Sequence, residues 1–240
     1  MFFFYFCNVI QIEICAPSRV SAEAARAGGA ERIELCRDLD CGGLTPSQED
    51  ILYCIRELRL CTHVLLRPRP GNFYYNRAEV EEIMADIARC REMGVAAVVV
   101  GFLNYNGCID TELTRRAVEV AAPMEVTFHR AFDEACQDPV EALNAVVGCG
   151  CTRLLTSGMQ PTAPHGVDIL RRLVDCTRRS PIAERGFKVL VGSGVTPQNA
   201  QTLLQATGAD ELHASCKRLS AEGKWQTDAS QVHSLIQACR

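Results

Sequence analysis

The sequence predicts one (β/α)8 barrel. Eight short apolar runs alternate with amphipathic stretches along 240 residues. The repeat is about 30 residues, the size of one strand-plus-helix unit. The glycine-rich turn expected after the first strand of an open doubly wound sheet is missing, since that turn reads Cys15-Ala16-Pro17-Ser18. No linker or low-complexity tract divides the chain, so residues 1–240 are expected to form one domain, with residues 1–8 as an apolar extension before a barrel over 9–240.

The predicted strands are Val9–Cys15, Glu31–Cys36, Thr62–Arg67, Ala96–Gly101, Met124–His129, Thr152–Ser157, Phe187–Val191 and Asp210–Ala214. Between them the spacing predicts helices over Ser18–Ala27, Ser47–Leu58, Arg77–Met93, Thr111–Ala121, Asp138–Val147, Val167–Arg178 and Pro197–Ala206, with Ala229–Cys239 last. Thr45-Pro46-Ser47 with Asp50 reads as a helix start followed by first-turn acids. Asp138-Pro139 puts a capping carboxylate before a proline at the first helical position, and Thr196-Pro197 repeats that pattern. Gly28, Gly94 and Gly208 fall where helices should end.

A net charge of −4 argues against a nucleic-acid platform or a polybasic membrane anchor. Asn8, Gln11 and Glu13 interrupt the initial apolar run well before the roughly 18 residues that a spanning helix needs. With no secretory signal pattern either, the expectation is a cytoplasmic protein whose 14 cysteines are reduced thiols.

Period-two alternation assigns the faces of each strand. Ile10, Ile12 and Ile14 oppose Gln11, Glu13 and Cys15; Ile33 and Leu35 oppose Arg32, Glu34 and Cys36. Val126 and Phe128 oppose Glu125, Thr127 and His129, and Leu212 and Ala214 oppose Glu211, His213 and Ser215. Apolar faces must pack on the helices, so the lumen should hold Glu13, Glu34, Glu125, Glu211, Arg32, Arg153 and Lys188. Charges at that depth require partners, so a structural ion-pair network is one reading and chemistry the other.

Barrels of this kind place their sites at the carboxyl ends of the strands. Cys15 and Cys36 end adjacent strands, where two thiolates could share one soft ion such as Cu(I). No Cys-x-x-Cys zinc spacing occurs. Arg67-Pro68-Arg69-Pro70 offers two guanidiniums on a stiffened loop, suited to capturing an anion or to neutralising Glu13 and Glu34. His129, with Asp133 to fix its tautomer, could move a proton or bind metal; Glu13 and Glu34 could assist. Ser157-Gly158, Gly192-Ser193-Gly194, His213 and Ser215 complete a candidate anion site.

These residues resemble the CutC copper-homeostasis proteins along nearly the whole chain. The resemblance rests on Glu13-Ile14-Cys15, the run from Ala27 to Cys36, Gly42 to Ser47, Arg67-Pro68-Arg69, Thr127 to Asp133, Leu155 to Gly158 and His213-Ala214-Ser215. It implies a cytoplasmic barrel, commonly a homo-oligomer, that binds Cu(I) through cysteines, with Cys15 and Cys36 at the ligand positions. Pro70 and Asn72 depart from the family pattern, where a glycine and an aspartate are usual. Two functions are therefore expected to compete: copper binding at the rim thiols, or an enzyme acting on a small phosphorylated or carboxylated substrate.

Overall fold

Parallel strands need long crossovers, and here every crossover carries an amphipathic helix that covers the sheet's outer face. In the computed structural model, which describes residues 10–179, 181–219, 223 and 225–240, the strands close into a barrel in chain order. They are β1 (Gln11–Ala16), β2 (Arg32–Leu35), β3 (Cys61–Leu65), β4 (Ala97–Val100), β5 (Glu125–Phe128), β6 (Arg153–Thr156), β7 (Lys188–Val191) and β8 (Glu211–Ala214). The outer helices are α1 (Arg19–Ala27), α2 (Gln48–Leu52), α3 (Arg77–Met93), α4 (Thr111–Ala121), α5 (Pro139–Gly148), α6 (Val167–Thr177), α7 (Ala200–Thr207) and α8 (Ala229–Ala238). No helix among the described residues is long and apolar enough to cross a membrane. The apolar extension over 1–8 and Val9 lie outside the described residues.

Local chemistry sets most of the boundaries. Ser47 caps α2 by accepting from the Asp50 N–H, and Asp138 caps α5 ahead of Pro139. Gly94 and Gly208 end α3 and α7 in the left-handed region that a Cβ disfavours. The expected second helix is different in form, because α2 passes at Tyr53–Glu57 into a π turn, with the Leu58 N–H donating to Tyr53 O at 3.1 Å. The expected start of α7 at Pro197 is also corrected. Asn199 binds the Thr196 N–H and donates to Gly194 O, both at 2.8 Å, and holds residues 196–199 as a turn, so helix begins at Ala200.

An antiparallel hairpin, β9 (Lys217–Leu219) with β10 (Trp225–Thr227), follows β8 and was not foreseen. Thr227 fastens it to the first unit: its N–H donates to Ser21 Oγ at 3.2 Å and its hydroxyl to Cys15 O at 3.3 Å. At the same seam α1 meets α8 so closely that a Cβ on Gly28 would lie 2.5 Å from Val232 Cβ.

Inside the barrel the polar faces converge. Glu13 pairs in register with Arg32 on one side and His213 on the other, and Glu34 with His63. Arg32 bridges Glu13 at 2.8 Å and Glu211 at 2.6 Å, while Arg153 reaches Glu211 at 2.7 Å. His63 Nδ1 lies 2.8 Å from Glu13. Two expected members of this hub stand at its edge. Lys188 is partly exposed and pairs with Asp210, and Glu125, half-exposed, reaches inward only to Arg153.

Candidate functional site

Above the charged hub, at the carboxyl ends of the strands, lies a cavity of about 920 Å³ whose wall includes Cys15, Cys36, Glu34, Arg67, His129 and His213. Adjacent parallel strands β1 and β2 bring the Cys15 and Cys36 sulfurs to 3.8 Å, both buried beside Leu65 and Val99. Cys15 also belongs to a trio with Glu34 and His213 whose ligand atoms all lie within 4.8 Å of one another. His213 Nε2 sits 3.0 Å from Glu34 and 3.9 Å from Glu13.

The electrostatics of this group are specific. The hydrogen bond with Cys36, together with burial, pushes the Cys15 thiol well above its ordinary value, so it is protonated at neutral pH. Burial alone would lower the His213 pKa, but the Glu34 carboxylate and the Cys15 sulfur overcome it and hold the ring as imidazolium. At neutral pH the Cys15 thiol thus stands beside an internal Glu34–His213 ion pair. The sequence placed Glu34 among acids and His213 among anion binders; that the two join Cys15 is set by the β8–β1–β2 register, which no local motif announces.

His129 is buried at the end of β5. Its Nδ1 accepts from the Ala131 N–H at 3.1 Å, which leaves the proton on Nε2. Burial and then the nearby Arg67 charge pull its pKa down to about 3, so the ring is neutral. Nε2 has no protein partner. Asp133 does not fix this tautomer, contrary to the expectation. The residues after His129 form a 3-10 turn, and Asp133 instead accepts from Arg130 at 2.8 Å, from the hydroxyls of Thr156 and Ser157, and from the N–H groups of Ser157 and Met159. It fastens the loop after β6 to the end of β5.

The two loop arginines have separate fates, and neither neutralises Glu13 or Glu34. Arg67 donates to three backbone carbonyls, Cys41 at 2.9 Å, Gly43 at 3.3 Å and Gly71 at 2.6 Å, and stacks on Phe73. Its Nε is buried without a partner. Arg69 is occupied by Glu79 at 2.6 Å, by Asn72 and by Tyr74 O, and it lies over Tyr75. It is outside the cavity wall.

The expected anion donors after β6 and β7 are partly spent within the fold. Gly158 N–H donates to Thr156 Oγ1 at 2.9 Å and Gly192 N–H to Thr156 O at 3.0 Å. Ser157 is wholly buried on Asp133 and Gln160. Gly194 and Ser215 do line the cavity, as does Arg130 beside His129. His63, the Glu13 partner, was missed, because a single imidazole inside an apolar strand gives no pattern.

Comparison with known proteins is consistent along the chain. The model of the CutC family matches residues 10–218. A CutC family protein from Chromobacterium violaceum is 39% identical over 246 residues, covering 95% of this chain and 97% of its own. One from Parabacteroides distasonis is 41% identical over 209 residues, covering 87% and 83%. Among solved structures, a CutC from Streptococcus agalactiae named for copper homeostasis superposes with a TM-score of 0.78 at 31% identity, covering 86% of this chain and 98% of its own. TrpF from Jonesia denitrificans, 16% identical with a TM-score of 0.59 over 96% of this chain and 97% of its own, shares the barrel fold alone.

Proposed function

The chain belongs to the CutC family, and from that premise we propose that it serves copper homeostasis by holding Cu(I) between Cys15 and Cys36. The observation that carries this reading is the buried pair of sulfurs 3.8 Å apart. Two metal–thiolate bonds of about 2.3 Å, the length known for zinc, span about 3.8 Å when they meet at roughly 110°, the angle of a site completed by further ligands, so the donors need little movement to share such an ion. Thiolate pairs favour Cu(I) over harder cations. His213 and Glu34 stand within reach of Cys15, as a further ligand or as partners that balance its charge. Because Cys15 is a thiol in the resting protein, loading must release its proton.

An anaerobic competition titration with a Cu(I) chelator tests the proposal. One ion per chain is expected in the parent protein, with a loss of at least a hundredfold in affinity when Cys15→Ser and Cys36→Ser are combined. Unchanged affinity and stoichiometry would refute it.

A second reading, a barrel enzyme acting on a small anionic substrate, is supported by the neutral His129 ring with its unpaired Nε2–H on the cavity wall. A cavity of about 920 Å³ is far larger than one ion requires. Here His129 would donate to an oxygen of the substrate while Arg130 and the free edge of Arg67 supply positive charge. Phosphate esters and sugar acids that raise the melting temperature of the parent and not of His129→Phe would favour it. No shift with any of them at millimolar concentration counts against it.

A further inference from the structure

A second sulfur pair lies apart from Cys15 and Cys36. Cys108, in the loop after β4, and Cys136, just before α5, hold their sulfurs 3.3 Å apart although 28 residues separate them. Neighbouring contacts set this approach. The Cys136 N–H donates to Gly107 O at 3.0 Å, and the Ile109 N–H to Gln137 Oε1 at 2.7 Å. Both thiols also point at one acceptor, Asn106 O. The two loops are already in register, so a covalent bond of about 2 Å needs small thiol rotations and little backbone movement. Cys136 is exposed and Cys108 half-buried, so an oxidant in solution can reach them. Cys15 and Cys36 are far less exposed, at 3% and 2%.

We infer that Cys108 and Cys136 form a reversible disulfide that ties the loop after β4 to the loop after β5. The chemistry is thiol–disulfide exchange with a small disulfide such as oxidised glutathione. The Cys136 thiolate attacks one glutathione sulfur, the glutathione S–S bond breaks, and a glutathione thiolate leaves. The Cys108 thiolate then attacks the Cys136 sulfur of the mixed disulfide and expels the second glutathione thiolate. Two protein thiols are oxidised, one glutathione disulfide is reduced, and the two thiol protons pass to the departing thiolates. Cys136 is the more exposed of the two, and the hydrogen bond with Cys136 raises the Cys108 pKa, so Cys136 acts first. The tie would brace the segment that follows Arg130 and Asp133, and so one wall of the cavity.

The test is to equilibrate the whole reduced protein with an excess of oxidised over reduced glutathione, quench in acid, alkylate and map peptides. Expected is a Cys108–Cys136 linked peptide as the main product, an intact mass lower by two hydrogens, and a melting temperature raised by several degrees. Dithiothreitol should reverse all three. Cys108→Ser should accumulate one glutathione adduct at Cys136, while Cys136→Ser leaves Cys108 largely unmodified. The inference is overturned if both residues alkylate as fully as in untreated protein, if they stop as separate glutathione adducts, or if other cysteines cross-link in preference.

Discussion

Replacing Glu211 by Gln tests whether the hub is structural. The Glu211 carboxylate lies between two guanidiniums, accepting from Arg32 at 2.6 Å and from Arg153 at 2.7 Å, and all three side chains are less than a tenth exposed. Gln keeps the shape and one acceptor oxygen but removes the charge. Charge centres about 4 Å apart interact by about 4 kcal/mol at an effective dielectric constant of 20, so two pairs represent roughly 8 kcal/mol of gross attraction. The variant regains the several kcal/mol spent on desolvating the carboxylate. Arg32 retains Glu13, and Arg153 retains only the half-exposed Glu125. A net loss of about 3–5 kcal/mol follows, a large part of the 5–15 kcal/mol typical of a domain. In urea unfolding followed by far-UV circular dichroism, the midpoint should fall at unchanged slope, with a melting temperature lower by roughly 10 °C. Cu(I) affinity should hold within about threefold, because Gln11, the residue opposite Glu211, is four residues from Cys15, about 13 Å along the strand. A stability change below about 1 kcal/mol would refute the assignment of these charges to structure.

Other expectations follow from the same geometry. Burial alone would depress His63, but the Glu13 carboxylate raises its pKa to about 9. Its stabilising contribution is therefore complete below pH 6.5 and lost as pH rises through about 9, a decline of about 3 kcal/mol that His63→Gln should abolish in urea midpoints measured across that window. Gly28→Ala should destabilise by a few kcal/mol, since its Cβ would meet Val232 Cβ at 2.5 Å and Ala229 O at 2.6 Å. A calorimetric transition within 1 °C of the parent's would show that α1 and α8 can separate at no cost.

The barrel was legible because its signals are periodic. Glu13 beside Ile14, and Arg32 beside Ile33, state which face looks inward whatever the surroundings. Ser47, Asp138, Gly94 and Gly208 announced their helix ends through backbone chemistry confined to a few residues. Contacts set by loop geometry or by strand closure were not readable in the same way. The spacing of four between His129 and Asp133 suggested a pair, yet the 3-10 turn between them sends the carboxylate to β6. Arg67 and Arg69 stand two apart, and the path of their loop gives one to backbone carbonyls facing the cavity and the other to Glu79 on α3. Cys108 and Cys136 meet only because two loops do, and nothing near either residue in the chain records the other.

The π turn at Tyr53–Glu57 gives the second crossover one residue more than ordinary helical pitch would use. That surplus makes the segment a natural place for length variation. Deleting a single residue there would let the turn relax to normal pitch while Ile51 and Cys54, both buried, keep their seats against the sheet. The same deletion one turn earlier would rotate the following side chains by about 100° and swing charged groups toward the core. Slack of this kind lets an outer layer change length without disturbing the strand ends that carry the sulfur pair.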